Sequence, residues 1–580
     1  MRIHRKTPVL LLALILLPVA CSTGPDQPRT VAEAFAAALT SGDAAAAAAL
    51  TDAPEQAGPT LTTLFDNLGA NDTVRVAGTG ADTFTLESTW RFGPAGRNEW
   101  IYTSTGTAVD NDGWKIRWNP TTVAPGLDLG PLGYSPVYPE PARVLDATGG
   151  ALMTEQTVTL VRVAPDAELP AVAALLAPHG ITEAGLRADL AATPGEPVTA
   201  VVLRETDLAP VREPLTAMPG VSLAPQTRLL AVDKSLIGPT TAGLAELWQQ
   251  EADAAAGWAV RAHTPAGTQR IAGPDPVPTT DIATTVDIDL QNAAEAALSP
   301  LTEPAAIVAL RPSTGAVLAL AQNAPADAQG PIALTGLYPP GSTFKTVTVS
   351  AALQAGGLDV DTVLPCPGRA TIEGRTIPND DSFDLGQVPL HTAFARSCNT
   401  TMAALGVRLP ADGLTAAAEQ LGLGVDYVTP GLTTVTGKVP PARNPAERVE
   451  ASIGQGTVTA SPFGMAVVAA ALAHGSAQPP VLVRGRPGTA DRQAAPVPEQ
   501  VRAQIATMMR ETVTAGTATE LRDIDGLLGK TGTAEYLDDK HAHGWFVGID
   551  GDLAFAVFVA DAGSSGPAVA AAGRMLRAKR

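Results

Sequence analysis

Three short motifs contain the side chains needed for attack by a serine hydroxyl. In chain order they are Ser342-Thr-Phe-Lys345, Ser397-Cys-Asn399 and Lys530-Thr-Gly532. A serine hydroxyl is a weak nucleophile and needs a base within hydrogen-bond distance. Residues three apart share one face of a helix, so Ser342 and Lys345 would face the same cleft if a helix begins there. The sequence therefore predicts a serine nucleophile paired with an amine.

The residues before Ser342 favour a helix that begins at the nucleophile. Pro339 and Pro340 end the preceding segment, and proline suits the first turn of a helix. The positive end of the helix dipole would then lie beneath the hydroxyl. Lys345 could act as a base only when unprotonated, a state that burial and neighbouring cations would favour.

Together the motifs resemble the S-x-x-K, S-x-N and K-T-G motifs of penicillin-binding proteins and serine β-lactamases. The resemblance implies that an acyl-D-Ala-D-Ala peptide, or a β-lactam, acylates Ser342 and that Lys345 accepts its proton. It implies that Ser397 passes the proton to the leaving amine, and that Asn399 holds the substrate amide and orients Lys345. Lys530 is expected to supply positive charge around Ser397 and for the substrate carboxylate.

The same resemblance assigns the residues around the K-T-G motif. The hydroxyls of Thr531 and Thr533 are expected to bind the substrate carboxylate. Gly532 is expected to leave room for substrate at the strand edge. The implied oxyanion hole consists of the backbone N–H groups of Ser342 and Thr533. Gly454-Gln-Gly456 and Glu535 extend the match to class B penicillin-binding proteins.

The N-terminus is predicted to be a targeting segment, residues 1–25. Basic residues precede an apolar run from Val9 to Val19 that is short for a membrane-spanning helix. The segment Leu17–Cys21 resembles a lipoprotein signal, in which cleavage exposes a cysteine that carries lipid. A lipidated Cys21 is the favoured interpretation, and an uncleaved anchor or simple secretion are the alternatives. Each of them places the rest of the protein on the outer face of the cell membrane or beyond it.

The remaining residues are predicted to form a multidomain α+β protein with three domains. In residues 26–125, a capping box at Thr30–Glu33 is expected to open a helix, and alternating strands follow. This pattern resembles the NTF2-like domain at the front of MecA-type penicillin-binding proteins. A Pro- and Gly-rich stretch from 119 to 141 indicates a linker. Residues 126–275 resemble the pedestal, or dimerisation, domain of class B penicillin-binding proteins.

Residues 276–580 resemble the transpeptidase domain itself. A helix through Leu298 is followed by a hairpin at 305–320, and three further strands and a closing helix occupy the last 55 residues or so. The expected fold is the β-lactamase/transpeptidase fold, an antiparallel sheet flanked by helices.

Composition limits the partners and cofactors. The net charge of −19 argues against nucleic acid, which requires a basic surface. No cysteine–histidine spacing indicates a metal site, and no cofactor is expected. Cys366 and Cys398 could pair, but the position of Cys398 inside a motif favours a free, buried thiol.

The leading interpretation is a class B penicillin-binding protein, a D,D-transpeptidase that cross-links peptidoglycan stem peptides and is inhibited by β-lactams. No glycosyltransferase domain is recognised upstream, so a separate glycan polymerase is an expected partner. The front domain raises the hypothesis of low β-lactam affinity and antibiotic resistance.

Two other interpretations share the chemistry. The S-T-F-K motif also occurs in class D β-lactamases, but those enzymes carry an apolar residue where Asn399 stands. A β-lactam sensor would need membrane-spanning segments, and beyond Cys21 no apolar stretch is long enough.

Overall fold

The computed structural model describes most of the chain after the predicted targeting segment. The described residues are 28–70, 73–110, 113–233, 236, 238–536 and 541–579. The predicted segment 1–25 and its lipidation site Cys21 lie outside them. Within this described part, no helix combines the length and apolarity needed to cross a membrane.

The chain divides into two compact units, each discontinuous in sequence. The first comprises Met1–Pro139 and Asp253–Pro278, and the second Glu140–Ala252 and Thr279–Arg580.

The first unit begins with helices that cover a four-stranded antiparallel meander. Its helices are Arg29–Thr40, Ala44–Ala49, Pro54–Leu68 and Pro120–Val123. Its meander strands, paired in chain order, are Thr73–Thr79, Thr83–Phe92, Asn98–Asp110 and Trp114–Ile116. In the second strand, alternate side chains such as Phe84, Leu86 and Trp90 are buried, as expected for a sheet with one covered face.

A second sheet completes this unit with residues from far along the chain. Strand Gly257–Thr264 pairs on one side with Gly267–Ala272 and on the other with Leu132–Val137. Trp258 and Val260 belong to the same apolar core as the meander. The stretch 119–141, predicted to be a linker, therefore contains a strand that is buried in part within this core.

The first helix begins differently from the prediction. Thr30 lies inside the helix, which starts at Arg29 and is preceded by Pro28 without a side-chain cap. The Glu33 carboxylate, predicted to complete a capping box with Thr30, instead accepts a hydrogen bond from Arg29 Nε at 2.7 Å. An i,i+4 ion pair has taken the place of the capping box.

The N-terminal part of the second unit is a mixed sheet with small helices. Its strands are Val144–Leu145, Ala151–Val163, Val198–Arg204, Val221–Ala231 and Ile282–Ala283. Its helices are Leu169–Leu176, Glu183–Ala192, Glu205–Leu208, Arg212–Ala217 and Ala242–Ala255, the last of which ends three residues beyond the boundary at Ala252. The long strand Ala151–Val163 pairs with Val198–Arg204 along one edge and with Val221–Ala231 along the other.

The C-terminal part of the second unit is built on a five-stranded antiparallel sheet. In spatial order its strands are Ala316–Gln322, Ala305–Arg311, Ala554–Val559, Ala542–Ile549 and Leu528–Glu535. The predicted hairpin at 305–320 and the three C-terminal strands are present, and Leu528–Glu535, here called the edge strand, is the outermost strand of the sheet in the described part of the chain.

Helices cover both faces of this sheet, so its inner strands are largely apolar, whereas the edge strand carries Lys530, Thr531 and Thr533. Helices Ile288–Leu298 and Gly566–Lys579 pack on one face with side chains such as Ile307. The other face, which includes Val308, packs on Lys345–Gln354 and Pro462–His474. Odd and even residues of one strand thus belong to two separate cores, because side chains alternate across a sheet.

Further elements surround the face of the sheet that is covered by Lys345–Gln354 and Pro462–His474. The helices are Ala324–Asp327, Ile332–Thr335, Leu390–Ala395, Asn399–Gly406, Gly413–Gln420, Pro445–Ala451 and Glu499–Thr514. Short paired strands are Val363–Cys366 with Gly386–Pro389, Arg369–Ile372 with Arg375–Pro378, Gly437–Lys438 with Thr459–Ala460, and Tyr427–Thr429 with Leu432–Thr433 and Thr489–Ala490. The helices Leu390–Ala395 and Asn399–Gly406 flank the S-x-N motif.

Candidate active site

Ser342 lies in a tight turn that leads into a buried helix. The turn Gly341–Phe344 is a 3-10 helix, and the α-helix starts only at Lys345. Residues three apart eclipse each other in a 3-10 helix, so Ser342 and Lys345 still share one side. Ser342 is half-buried, whereas the Lys345 side chain is fully buried. The predicted α-helical start is thus displaced by one turn without separating the two residues.

The segment before Ser342 is held by neighbours on the sheet. Trp545 Nε1 donates to the carbonyl of Pro339 at 3.0 Å, and Thr343 Oγ1 donates to that of Pro340 at 2.7 Å. Trp545 is buried in the strand Ala542–Ile549, and it also anchors this turn. Gly341 N donates to the carbonyl of Gly454 at 3.0 Å, which connects the turn to the Gly-Gln-Gly segment.

Glycines allow the edge strand to approach the nucleophile turn closely. Gly341 has a φ of +51°, and a Cβ there would lie 2.5 Å from the carbonyl oxygen of Thr533. A Cβ on Gly532 would lie 2.9 Å from the Thr343 methyl and 3.0 Å from the Pro340 carbonyl. Gly532 was predicted to leave room for substrate. In the structure the space that it leaves is filled by the nucleophile turn.

Ser397 occupies a helix-terminal position that usually holds glycine. The helix Leu390–Ala395 ends with Ser397 N donating to Phe394 O at 2.9 Å and Cys398 N donating to Ala393 O at 2.8 Å. This pair of bonds is a Schellman motif, with Ser397 at the left-handed position and φ of +63°. Such a conformation costs a residue with a Cβ on the order of 1–3 kcal/mol. A strained Ser397 is a functional-site signal that the linear motif does not reveal.

The amine of Lys345 is surrounded by oxygen atoms of the S-x-N motif. Its Nζ lies 2.7 Å from the Ser397 carbonyl oxygen, 2.6 Å from Asn399 Oδ1 and 3.2 Å from Ser397 Oγ. Burial, together with the Lys530 cation, holds the pKa of Lys345 well below its usual range, while Asp380 opposes the shift. The structure therefore joins the first two motifs as predicted.

Lys530 reaches the same hydroxyl from the edge strand. Its Nζ donates to Ser397 Oγ at 2.9 Å and to the Thr531 carbonyl at 2.9 Å. It also lies 5.6 Å from the centre of the Phe394 ring, within range of a cation–π interaction. Burial lowers the pKa of Lys530 to about 7. The hydroxyl of Ser397 is therefore the point at which all three motifs meet.

The hydrogen-bond geometry accommodates a neutral Lys345, the form that its lowered pKa favours. A neutral amine has two N–H donors and one lone pair. The two carbonyl oxygens of Ser397 and Asn399 take both donors, at the two shortest distances. The lone pair is then left to accept a proton from a hydroxyl. Lys530 likewise contacts two oxygen atoms, Ser397 Oγ and the Thr531 carbonyl.

The outer side of the edge strand presents the backbone of Thr533. The side-chain amide of Gln455 pairs with Glu535, donating to its carbonyl at 3.2 Å and accepting from its N–H at 3.3 Å in the orientation that satisfies both groups. Alternate residues of a strand present their backbone groups to the same side. The backbone N–H and C=O groups of Thr533 and Thr531 therefore also point away from the sheet. The N–H of Thr533 is thus directed to the side of the nucleophile turn.

The two threonine hydroxyls predicted to bind a carboxylate differ in exposure. Thr531 is buried, and its Oγ1 lies 2.6 Å from Thr517 Oγ1. Thr533 is half-buried. The Thr533 hydroxyl is therefore the more accessible of the two. Thr517, which no sequence motif indicated, forms a hydrogen bond with the buried Thr531 hydroxyl.

The prediction of a free thiol at Cys398 is wrong. Cys366 and Cys398 form a disulfide with a Cα–Cα distance of 6.2 Å, and both are fully buried. A free thiol at Cys398 was predicted because of its place in the motif. The strand Val363–Cys366 lies against the start of the helix Asn399–Gly406, which brings two residues 32 apart into bonding distance. No local pattern shows such a tertiary contact.

Sequence inspection also missed Asn379. Its side chain is 2% exposed, and its Oδ1 accepts from the backbone N–H groups of Asn399 at 2.8 Å and Thr400 at 3.2 Å. Asn399 in turn donates from Nδ2 to the Pro378 carbonyl at 2.9 Å. An isolated asparagine outside any motif carries no signal in one sequence, so this residue could be found only in the structure.

Two regions of the chain match known families. Residues 305–577 match the penicillin binding protein transpeptidase domain, and residues 27–130 match the NTF2-like N-terminal transpeptidase domain. The chain is therefore a multidomain α+β protein that carries a penicillin-binding-protein transpeptidase domain behind an NTF2-like domain. Both predicted resemblances are confirmed.

Individual relatives are peptidoglycan enzymes of bacteria. The peptidoglycan D,D-transpeptidase PbpA of Mycolicibacterium smegmatis is 33% identical over 44% of this chain and 62% of the relative. PbpA of Mycobacterium tuberculosis is 32% identical over 42% of this chain and 58% of the relative. The peptidoglycan D,D-transpeptidase MrdA of Acinetobacter baumannii is 27% identical over 45% of each chain. The chain spans less than two thirds of the length of these relatives.

Two solved structures are similar in part. PBP2 of Pseudomonas aeruginosa in complex with WCK 5153 has a TM-score of 0.47 and 28% identity, over 52% of this chain and 79% of that one. The D,D-transpeptidase domain of the peptidoglycan glycosyltransferase from Eggerthella lenta has a TM-score of 0.46 and 26% identity, over 55% of this chain and 94% of that one. With both TM-scores below 0.5, the fold described above rests on its own strands and helices.

Proposed function

We propose that the protein is a serine-type peptidoglycan D,D-transpeptidase that β-lactams inhibit covalently. The observation that carries the proposal is the convergence of Lys345 and Lys530 on the Ser397 hydroxyl, with Lys345 one 3-10 turn after Ser342. The transpeptidase-domain match and the transpeptidase relatives support the same activity.

In the first step, Ser342 attacks the carbonyl between the two D-alanines of a donor stem peptide. Lys345, kept neutral by burial, takes the hydroxyl proton through its lone pair. The backbone N–H groups of Ser342 and Thr533 stabilise the oxyanion, since both belong to the closely apposed turn and edge strand. The Ser342 ester forms, and the bond to the terminal D-Ala breaks.

Ser397 completes the proton transfer. The leaving D-Ala amine receives the Ser397 hydroxyl proton, and Ser397 is reprotonated from Lys345. Lys530 donates to Ser397 Oγ throughout and offers positive charge to the substrate carboxylate. Asn399 accepts from Lys345 and binds the donor amide, and Thr533, the more exposed of the two threonines, binds the substrate carboxylate.

In the second step, an amine of another stem peptide attacks the ester and receives the acyl group. The same relay, run in reverse, removes the proton from the incoming amine. A β-lactam acylates Ser342 in the same way, but its leaving amine stays attached to the acyl group. The adduct therefore persists and blocks the site.

The experiment supplies purified protein with a donor peptide ending in D-Ala-D-Ala and a separate acceptor amine. Release of D-Ala together with a cross-linked product supports the transpeptidase, whereas release with only the hydrolysed peptide assigns a D,D-carboxypeptidase. No release from any donor contradicts the proposal. Rapid turnover of penicillin in a parallel reaction would favour the β-lactamase alternative.

The cellular setting is part of the proposal. The protein acts on the outer face of the cell membrane, anchored through lipid on Cys21, next to a separate glycan polymerase. Of the predicted pedestal, residues 126–275, the part that belongs to the second unit, Glu140–Ala252, serves this role, and the NTF2-like domain favours low β-lactam affinity. Cys21→Ala is expected to release the protein from membranes in cell fractionation, and unchanged membrane association would contradict lipid anchoring.

A further inference from the structure

The S-x-N motif is held from outside by one connected set of contacts. It consists of Asn379 and the disulfide Cys366–Cys398, which we call the motif mount. We propose that the motif mount positions Ser397 and Asn399 for proton transfer, so that catalysis depends on it more than folding does. The inference rests on the proposed function.

Asn379 acts as the N-cap of the helix that carries the motif. Its Oδ1 accepts from Asn399 N and Thr400 N, two of the N–H groups that a helix leaves unpaired at its start. Cys398, which directly precedes the helix, provides no side-chain cap. The cap therefore comes from a residue 20 positions away, and it fixes the backbone of Asn399 directly.

The other end of the Asn379 amide is fixed as well. Its Nδ2 donates to Phe383 O at 2.8 Å and Pro367 O at 3.0 Å, and it lies 3.4 Å from Cys366 Sγ. Both donors and the acceptor of the amide are thus engaged in a site that is 2% exposed. Because the Asn379 amide is fixed by these contacts, it also fixes the backbone N–H groups at the start of the helix.

The disulfide fixes the middle residue of the motif. Cys398 stands between Ser397 and Asn399, and its partner ends the strand Val363–Cys366. The hydroxyl of Thr401 donates to Pro365 O at 2.8 Å, and that of Thr400 donates to Pro367 O at 3.0 Å. The strand and the helix start are therefore joined at several points around the bond.

Ser397 needs such support because its backbone is left-handed. Its carbonyl and the Asn399 amide oxygen are the two close acceptors of the Lys345 amine. If the contacts of the motif mount are lost, the Ser397 carbonyl and the Asn399 amide oxygen move relative to Lys345. The pKa of Lys345 is then expected to change. The charged groups that face Lys345 are Lys530 and Asp380, neither of which belongs to the mount.

The test compares Asn379→Ala with a matched variant, Asn323→Ala. Asn323 has an equivalent role elsewhere, accepting from Ala305 N and Ala326 N and donating to the carbonyls of Leu301 and Glu303. The rate of acylation by a fluorescent penicillin is measured across pH, with thermal unfolding in parallel. Asn379→Ala is expected to slow acylation at least about tenfold and to move the midpoint of the acidic limb, while Asn323→Ala stays within about twofold.

A second arm needs no substitution. A water-soluble phosphine reduces the disulfide to two thiols and is itself oxidised to the phosphine oxide, with water supplying the oxygen and both protons. Alkylation and intact mass count the thiols. The reduced protein is expected to acylate more slowly with a displaced pH midpoint, and reoxidation by oxidised glutathione is expected to restore both.

Three outcomes decide the inference. Equal rates and pH midpoints for the oxidised and fully reduced protein would overturn it. So would an Asn379→Ala protein that loses thermal stability alone, or an Asn323→Ala protein with the same rate loss. If the untreated oxidised protein forms no adduct at all, the proposed function fails instead.

Discussion

Two buried lysines with lowered pKa values meet at the hydroxyl of Ser397. Lys345 contacts two carbonyl oxygens and Ser397 Oγ, and Lys530 contacts Ser397 Oγ and the Thr531 carbonyl. Two like charges in one buried site would repel each other, so one amine is held neutral. The pair therefore provides a base and a cation within hydrogen-bond distance of one hydroxyl.

Removing the proposed base tests its role. Lys345→Ala is expected to reduce the acylation rate by about 10²–10⁴, the usual contribution of general-base catalysis. The matched variant Lys438→Ala removes an exposed lysine and is expected to leave the rate unchanged. Stopped-flow acylation with a fluorescent penicillin measures both. A Lys345→Ala enzyme with the native rate would assign the base elsewhere.

The depressed pKa of Lys530 predicts how stability depends on pH. With a folded pKa of about 7 and an unfolded pKa of 10.5, the unfolded chain binds one more proton between these values. The free energy of unfolding is therefore expected to rise with pH in this window, by up to about 1.4 kcal/mol per pH unit from this group. The lowered pKa of Lys345 acts in the same direction.

Urea unfolding between pH 7 and 10 measures this slope. Lys530→Met is expected to reduce it, because methionine binds no proton in either state. A slope that is the same in Lys530→Met and the native protein would show that Lys530 is not the titrating group.

At the scale of elements, the edge strand and the nucleophile turn must lie unusually close. Gly532 on the strand and Gly341 in the turn leave no space for a Cβ. The turn is also connected to the Gly-Gln-Gly segment through Gly341 and Gly454, and Gln455 of the same segment pairs with Glu535 on the strand. These contacts set the distance between the nucleophile and the proposed oxyanion hole.

Gly532→Ala tests this close approach. The added methyl group would meet Thr343 and Pro340, and such overpacking costs about 1–3 kcal/mol. Acylation is expected to slow by more than stability alone explains, because the edge strand must shift away from Ser342. Gly78→Ala, where nothing lies within 4 Å of the added atom, is the control. Equal acylation rates for the two variants would contradict this role.

The sequence predicted these elements unevenly, and for physical reasons. The hairpin at 305–320 and the C-terminal strands were predictable because apolar runs between turn residues are local signals. The 3-10 turn at Ser342, the left-handed Ser397 and the Cys366–Cys398 bond depend on contacts between distant segments. The motif residues could be named in advance, whereas Asn379 and Thr517, which hold them, carry no pattern of their own.

At the scale of the whole molecule, both compact units are discontinuous. The chain leaves the first unit after Pro139 and passes through 113 residues of the second unit, Glu140–Ala252. It then returns to the first unit and adds the strands Gly257–Thr264 and Gly267–Ala272. Periodicity in the sequence predicts strands but not which sheet they join. The return of the chain to the first unit could therefore not be predicted from the sequence.

A fragment experiment tests the discontinuity. Residues 28–139 alone are expected to unfold at lower temperature than the same residues joined by a flexible linker to residues 253–278. The added strands bury Trp258, Val260 and Ala262 in the core of this unit. Calorimetry or circular dichroism compares the two. Equal melting temperatures would show that these strands contribute little to the unit.

One measurement addresses the acyl-enzyme most directly. The oxidised protein is incubated with a labelled penicillin, and intact and proteolytic-peptide masses are recorded for the native protein and for Ser342→Ala. The expected result is a lasting adduct of one penicillin on the peptide that contains Ser342, absent from Ser342→Ala. Label on another residue, or no adduct in the native protein, would contradict the nucleophile assigned here.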